Sequence, residues 1–235
     1  MTFWDHVLIL AVAVGWPASG LLAYHGYREK VRRGVPGTRL AEYAKGMLIQ
    51  WLFVAAAVAL WIRLDRDFAV LGLVAPATAG AWAALSVAFV VGGLMVAQSA
   101  MIARHPEAHD QVRKAISPVV EVLPCDRNDL SGFVALSITA GICEEILFRG
   151  LVPWYLAPVA GIWGGQGLAL LCFTAAHLHL GVTASMRAGL AGAAAAGLCL
   201  WSGSFLRGML LHAAHDVAAG WMGYEVLRER TPAAA

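Results

Sequence analysis

Charged residues are scarce in this sequence. Only 14% of the 235 residues are Asp, Glu, Lys or Arg, whereas 60% are hydrophobic, and soluble domains average about one charged residue in four. A chain of this size could not hide so much apolar surface from water by folding alone. The composition excludes a disordered chain, and the net charge of +2 is too small to indicate a nucleic-acid partner. We therefore predict a protein that crosses a membrane several times.

Cysteines are also few, and no two of the four form a C-x-x-C pair. Cys125 lies in a polar connection, while Cys143, Cys172 and Cys199 lie in apolar stretches. This pattern excludes a disulfide framework and a zinc knuckle. We interpret the cysteines as small buried apolar side chains.

Long apolar runs make up most of the chain. A membrane-crossing helix needs about 20 mostly apolar residues, and we predict an all-α bundle of about seven transmembrane helices, with six or eight as alternatives. Two further stretches, Phe68–Pro76 and Pro153–Gly161, are too short and too interrupted by Pro and Gly to cross, so we expect them to be interfacial or re-entrant. The predicted spans are Trp4–Tyr24, Gly46–Ile62, Thr78–Ala103, Leu130–Phe148, Ile162–His179, Thr183–Trp201 and Phe205–Tyr224.

The basic residues fall mainly on one side of these spans. With seven spans, all but four of the 17 Lys and Arg residues share a side, which the positive-inside rule assigns to the cytoplasm. We therefore expect the N-terminus outside and the C-terminus inside. The longest polar connection, residues 105–129, contains the apolar stretch Ile116–Leu123, which we expect to lie along the membrane surface or to form part of a solvated linker.

A few ionisable side chains remain inside the predicted spans. Because a charged group at membrane depth is costly, such residues indicate a functional site. Between Leu130 and Tyr224 there are ten such residues, and eight of them, with one aromatic neighbour, form three groups: Glu144, Glu145 and Arg149; Phe173, His177 and His179; and His212, His215 and Asp216. The other two are Arg187 and Arg207.

Helical spacing separates the members of these groups. Glu145 and Arg149 are four residues apart and share a face, where they can pair. Glu144 projects about 100° away and has no local partner, so it is free to act as a general base. His212 and Asp216 also share a face. The alternative interpretation of the first group is a charge pair that anchors a helix end.

Taken together, E-E-x-x-x-R, F-x-x-x-H and H-x-x-x-N/D in this order resemble the CAAX protease and bacteriocin-processing (Abi, CPBP) family of intramembrane proteases. The resemblance implies an all-helical membrane bundle that hydrolyses peptide bonds. We divide the chain into N-terminal transmembrane helices with their polar loop (1–129), a CPBP/Abi-like catalytic bundle (130–225) and a short polar tail (226–235).

The resemblance also implies roles for four catalytic residues. Glu144 and His177 would hold and deprotonate a water molecule, and His212 with Asp216 would face the developing oxyanion. Many members of the family carry Asn where this chain has Asp216. Because an ionised Asp is only an acceptor, we expect Asp216 to orient His212.

Three further residues would support this site: Glu145 and Arg149 would lock the helix that presents Glu144, and Phe173 would fix the ring of His177. We favour a mechanism without a metal, because the sequence contains no H-E-x-x-H motif. A catalytic zinc ion remains the alternative, and its ligands would be His177, His212 and Glu144 or Asp216.

Other functions remain open at this stage. Histidines on neighbouring spans are compatible with a haem-binding or redox membrane protein, and a non-catalytic immunity or scaffold protein could keep the same fold. We interpret Ser204 as a turn residue rather than a nucleophile. The expected partners are the lipid bilayer and a membrane-anchored protein or peptide substrate, and the expected location is a bacterial inner membrane.

Overall fold

The computed structural model describes residues 1–73 and 77–228, and these residues form helices and no strand. Five of the helices are long and apolar enough to cross a membrane, so the prediction of an all-α multi-pass bundle is confirmed. In chain order the helices are α1 (Phe3–Arg32), α2 (Thr38–Arg63), α3 (Ala79–Ala103), α4 (His109–Ile116), α5 (Arg127–Ala176), α6 (Val182–Ser202) and α7 (Phe205–Arg228).

Helix α5 contains 50 residues and reverses direction at Gly161. The backbone there has φ 72° and ψ 171°, a conformation that is essentially restricted to glycine. We call residues 127–160 α5a and residues 162–176 α5b. A Cβ atom at Gly165 would lie only 3.0 Å from the carbonyl oxygen of Pro153, so the two halves pack closely side by side.

The expectation that Pro153–Gly161 is separate from the preceding helix is therefore wrong. Residues 153–160 continue α5a instead of forming a separate interfacial or re-entrant segment. The π-helical turn Ile146–Leu151 precedes them, and Pro153 stands in the first turn of the α-helix that follows. A proline is tolerated there because the missing N–H is not needed.

The site-bearing helix α7 is the central packing element. It contacts α3, α5a and α6, and α2 covers another part of α5a. A Cβ atom at Gly141 on α5a would lie 2.9 Å from the Cβ and N atoms of Ala213 and from the carbonyl oxygen of Met209. Small residues allow such close helix crossings in membranes, and this crossing brings the polar residues of α5a and α7 together.

The stretch Ile116–Leu123 is folded into the protein, so the solvated-linker alternative is wrong. Both of its end residues are buried. The hydroxyl of Tyr27 donates a hydrogen bond to the carbonyl oxygen of Glu121 (2.6 Å), and that of Tyr43 donates to the carbonyl oxygen of Val122 (2.5 Å). This loop thus joins the end of α1 and the start of α2 to the beginning of α5a.

The described part of Phe68–Pro76 also packs against the bundle. It forms a short 3₁₀ helix, Phe68–Leu71, in which Leu71 is fully buried. The backbone N–H of Phe205 donates to the carbonyl oxygen of Gly72 (3.2 Å), which fixes the start of α7. Residues 74–76 lie outside the described residues. So does most of the predicted tail, of which residues 226–228 form the end of α7.

Candidate active site

The acidic pair lies immediately before the π-helical turn of α5a. Glu144 and Glu145 precede Ile146–Leu151, and Arg149 lies within that turn. Such turns are frequent at functional sites. Arg149 Nη1 lies 3.2 Å from Glu145 Oε1, and both side chains are almost completely buried. The structure thus brings Glu145 and Arg149 together as an ion pair.

Glu145 has further polar neighbours from distant parts of the chain. His212 Nδ1 donates to Glu145 Oε1 over 2.9 Å, and the Cys199 thiol lies 3.8 Å from Oε2. Gly208 makes room for this carboxylate, since a Cβ atom there would lie 3.0 Å from Oε2. Sequence reasoning missed Cys199 and Gly208. The geometry shows that Glu145 also fixes the ring of His212.

Glu144 projects to a different side and has no hydrogen bond to its buried Oε2 atom among the described residues. The residue is only 7% exposed. A buried acceptor without a partner is unfavourable, so this position suits a bound water or substrate group. Oε2 lies 3.9 Å from His212 Nε2, and a water oxygen about 2.8 Å from both atoms would bridge them.

Carboxylate groups lie next to both ring nitrogens of His212. Nδ1 is hydrogen-bonded to Glu145, while Nε2 faces Glu144 at 3.9 Å and Asp216 Oδ2 at 3.6 Å. The last distance is too long for a hydrogen bond. The direct hydrogen bond that orients the His212 ring is therefore made by Glu145, and Asp216 instead accepts a 2.9 Å bond from His215 Nδ1.

Phe173 lies between the two candidate catalytic histidines. Its ring centroid is 4.7 Å from that of His177 and 6.0 Å from that of His212, and the Arg149 guanidinium lies over it at 4.3 Å. His177, directly after α5b, donates through Nδ1 to the carbonyl oxygen of Phe173 (2.9 Å). A neutral His177 ring therefore keeps Nε2 as an acceptor.

Helix α6 closes the site behind Arg149. Arg149 Nη2 donates to the carbonyl oxygen of Gly192 over 3.0 Å. A Cβ atom at Gly192 would lie 2.7 Å from that nitrogen and 2.8 Å from Phe173 Cε1. No sequence motif marks Gly192, and only the three-dimensional arrangement identifies it as a residue of the site.

Two other candidates make mainly structural contacts, although the His179 ring stacks on that of His177 with their centroids 6.5 Å apart. His179 bonds the carbonyl oxygen of Ala176 (2.9 Å) and packs against Tyr24. Ser204 is fully buried in the short connection before α7, where its oxygen accepts from the N–H of Leu206. Ser204 is thus placed as a structural residue of this connection.

The candidate zinc ligands include close pairs: His212 Nε2 lies 3.6 Å from Asp216 Oδ2 and 3.9 Å from Glu144 Oε2. Among the described residues, one group of three ligand atoms lies within 4.8 Å of one another, and it is at the start of α5a, away from the site: Cys125, Asp126 and Asp129. Asp126 is engaged there in capping α5a, since its side chain accepts from the N–H of Asp129.

The structure is thus a helix bundle that encloses a cluster of carboxylates and histidines, and five of its helices are long and apolar enough to cross a membrane. Residues 126–218 match the model of a peptidase family, described as Type II CAAX prenyl endopeptidase Rce1-like. This segment is about two-fifths of the chain, and it contains every site residue described above. The match supports the resemblance of this segment to the CAAX protease and CPBP family. No curated protein and no solved structure matches the chain.

Proposed function

We propose that the protein is an intramembrane endopeptidase that hydrolyses a peptide bond near the C-terminal or membrane-anchored segment of a protein or peptide. One observation carries this proposal. The buried Oε2 atom of Glu144 has no hydrogen-bond partner among the described residues, and it faces His212 Nε2 at 3.9 Å. A water molecule and a substrate carbonyl group would complete this arrangement.

In the proposed reaction, Glu144 and His177 hold the water molecule. Glu144 accepts its proton while the oxygen attacks the scissile carbonyl carbon. His212, doubly protonated, donates through Nε2 to the oxyanion that forms, while Glu145 keeps Nδ1 in place. The tetrahedral intermediate then collapses, the C–N bond breaks, and the amine leaves with the proton returned by Glu144.

We propose that this reaction needs no metal ion. The buried Glu145–Arg149 pair and the hydrogen bond from His212 to Glu145 already fix the polar groups that the reaction uses. Incubation with a chelator should leave peptidase activity unchanged. Stoichiometric zinc in the purified protein, lost together with activity on chelation and restored with it, would show that the zinc alternative is correct.

The proposed substrate is held in the bilayer by its own anchor. The matched family is named for a prenyl endopeptidase activity, and a prenyl group is one kind of anchor. An apolar transmembrane tail would serve equally well, because the helices around the site carry exposed large apolar side chains, such as Leu171, Leu190 and Leu210. We place the protein in the cell membrane, with the N-terminus outside and the C-terminus in the cytoplasm.

The test uses a strain from which the gene has been deleted. This strain is complemented with the wild-type protein, with Glu144→Gln or with Glu107→Gln. Glu107 is an exposed loop carboxylate and serves as the matched control. We expect membrane proteins with longer C-termini, or unprocessed peptides, in cells with Glu144→Gln but not with Glu107→Gln. Loss of the general base should slow hydrolysis about 10²–10⁴-fold.

Three outcomes separate the alternatives. Identical peptide termini in all three strains would contradict the proposal. A biological function that survives Glu144→Gln unchanged would favour a non-catalytic scaffold or immunity protein. A haem absorption band in the purified protein would favour the redox alternative.

A further inference from the structure

The two carboxylate oxygens of Asp216 face two different histidines. Oδ1 lies 2.9 Å from His215 Nδ1, and Oδ2 lies 3.6 Å from His212 Nε2. Because an ionised carboxylate only accepts hydrogen bonds, the proton in the shorter contact belongs to His215. The motif that indicated the site assigns no task to His215, which projects from α7 about 100° away from Asp216.

The exposure of these side chains increases from the core outward. The side chain of Glu145 is 0% exposed, and the values for His212, Asp216 and His215 are 11%, 29% and 43%. His215 is therefore the outermost member of a row of polar contacts that ends at the buried Glu145. Although the His215 side chain is 43% exposed, its ring is oriented by the hydrogen bond to Asp216.

The hydrogen bond from His215 has a mechanical consequence for Asp216. The terminal torsion of an Asp side chain is soft and broad, and the 3.6 Å contact with His212 is too long to fix it. The 2.9 Å hydrogen bond from His215 Nδ1 to Oδ1 is short enough to fix it. Holding Oδ1 directs Oδ2 toward His212 Nε2, the atom that faces the oxyanion in the proposed reaction.

We propose that His215 is a positioning residue for Asp216 and, through it, for His212. This inference rests on the proposed function, because the task of the row is to prepare His212 for peptide hydrolysis. His215 touches neither the water nor the substrate in this arrangement. Its contribution is the N–H group that selects one orientation of the Asp216 carboxylate.

A spectroscopic experiment tests the bond itself. The full-length protein is labelled with ¹⁵N-histidine, reconstituted in phospholipid vesicles and examined by NMR at a pH where a free imidazole is neutral. The resonance that disappears in His215→Asn identifies His215. We expect the Nδ1–H tautomer for His215 in the wild type and loss of this preference in Asp216→Ala. An Nε2–H tautomer in the wild type would overturn the proposal.

Kinetics test the consequence of the bond. The probe is an internally quenched peptide with a C-terminal alkyl anchor, presented in the same vesicles. His215→Ala should lower kcat about tenfold with little change in KM. His215→Asn should recover most of the activity, because its amide nitrogen occupies the place of Nδ1 and still donates. His105→Ala is the control, since His105 pairs with Glu107 in an exposed loop, 2.9 Å apart and outside the site.

A double-mutant cycle distinguishes positioning from a general structural effect. In the Asp216→Ala background there is no side-chain oxygen for His215 to hold, so His215→Ala should change kcat less than about twofold. An equal loss in both backgrounds would overturn the proposal, as would a fully active His215→Ala variant. Glu144→Gln is assayed in parallel. If it is inactive and His215→Ala is fully active, only the role of His215 fails, whereas a fully active Glu144→Gln overturns the proposed function as well.

Discussion

Arg149 is held on three sides by groups of different chemistry. Glu145 supplies the opposite charge, the carbonyl oxygen of Gly192 accepts one N–H group, and the face of Phe173 lies under the guanidinium. Removing one partner of a buried ion pair typically costs about 3–5 kcal/mol, because the other charge is left unpaired. The absence of a side chain at Gly192 is what allows all three contacts to form at once.

Gly192→Ala should therefore damage the site without touching a reacting group. The added methyl group would collide with Arg149 and Phe173, which should cost about 1–3 kcal/mol of stability and shift the Phe173 ring away from the histidines. We expect a drop in kcat of at least about tenfold, in line with the cost of small displacements in an active site. Thermal unfolding in detergent and peptide hydrolysis measure the two effects.

Gly197→Ala is the control for this substitution. Gly197 lies on the same helix α6, and a Cβ atom there would have no described atom within 4 Å. Its replacement should leave activity unchanged and the melting temperature equal or slightly higher, since alanine favours helix. Equal activity of Gly192→Ala and Gly197→Ala would contradict the packing argument.

At the scale of the helices, the reversal at Gly161 decides where the second group of site residues lies. Helix α5b runs back along α5a, and this return path brings Phe173 to the π-helical turn that carries Arg149. Without the reversal, residues 127–176 would form a rod about 75 Å long. His177 would then lie far from Glu144.

Gly161→Ala should strain the backbone without creating a collision. No described atom lies within 4 Å of the position of its Cβ, so the cost comes from φ 72° and ψ 171° alone and should be about 1–3 kcal/mol. We expect a lower melting temperature, and a loss of activity because His177, directly after α5b, is displaced. Gly167→Ala on α5b, also without a described neighbour within 4 Å, should show neither effect. A melting temperature equal to that of wild type would contradict the argument.

The helical elements show which features a single sequence can reveal. Apolar length predicted the membrane bundle, and the i, i+4 rule identified the pairing of Glu145 with Arg149, because both signals are local. The hydrogen bond from His212 to Glu145 joins residues 67 positions apart, and no local pattern encodes it. Pro153 does not end helix α5a, because it stands in the first turn after the π-helical turn. Hydropathy alone does not reveal such a turn.

Helix α7 shows that apolar length can also fail to mark a long helix. It is 24 residues long but is not among the five helices that satisfy both length and apolarity, because its polar residues lower its hydropathy. The composition of α7 reflects the site it carries, so a criterion based on apolar character alone underrates it. Its predicted span, Phe205–Tyr224, nevertheless lies entirely within the helix.

At the scale of the whole molecule, the loop that contains Glu121 connects the N-terminal helices to residues 126–218, the segment that matches the family model. Arg28 and Arg32 at the end of α1 bind Glu121 Oε1 at 3.2 and 2.9 Å, and Arg39 donates to the Glu121 carbonyl oxygen over 3.1 Å. The basic residues that set the predicted orientation therefore also hold the fold together. We expect this connection to stabilise the start of α5a. The same helix carries Glu144 and Glu145 further along.

Burial opposes ionisation of Glu121, but a backbone hydrogen bond and the guanidinium groups of Arg32 and Arg28 outweigh it, so the pKa of this carboxyl group lies below its usual value. The unfolded chain then takes up this proton at a higher pH than the folded protein. The stability that Glu121 contributes is complete above the usual carboxyl pKa and is lost as the pH falls through the lowered value in the folded protein. The ion pairs should therefore weaken only in acid.

Glu121→Gln should consequently lower the melting temperature at pH 7 by about 5 °C, and it should lose less additional stability than the wild type on acidification from pH 6 to pH 3. Thermal unfolding in detergent across this range measures both effects. Glu29→Gln removes an exposed pair with Arg33 on the same helix end and should change the melting temperature by less than about 2 °C. If Glu121→Gln and Glu29→Gln gave equal shifts at pH 7, or if Glu121→Gln followed the acid profile of the wild type, the loop would not be the connection that joins the two parts of the molecule.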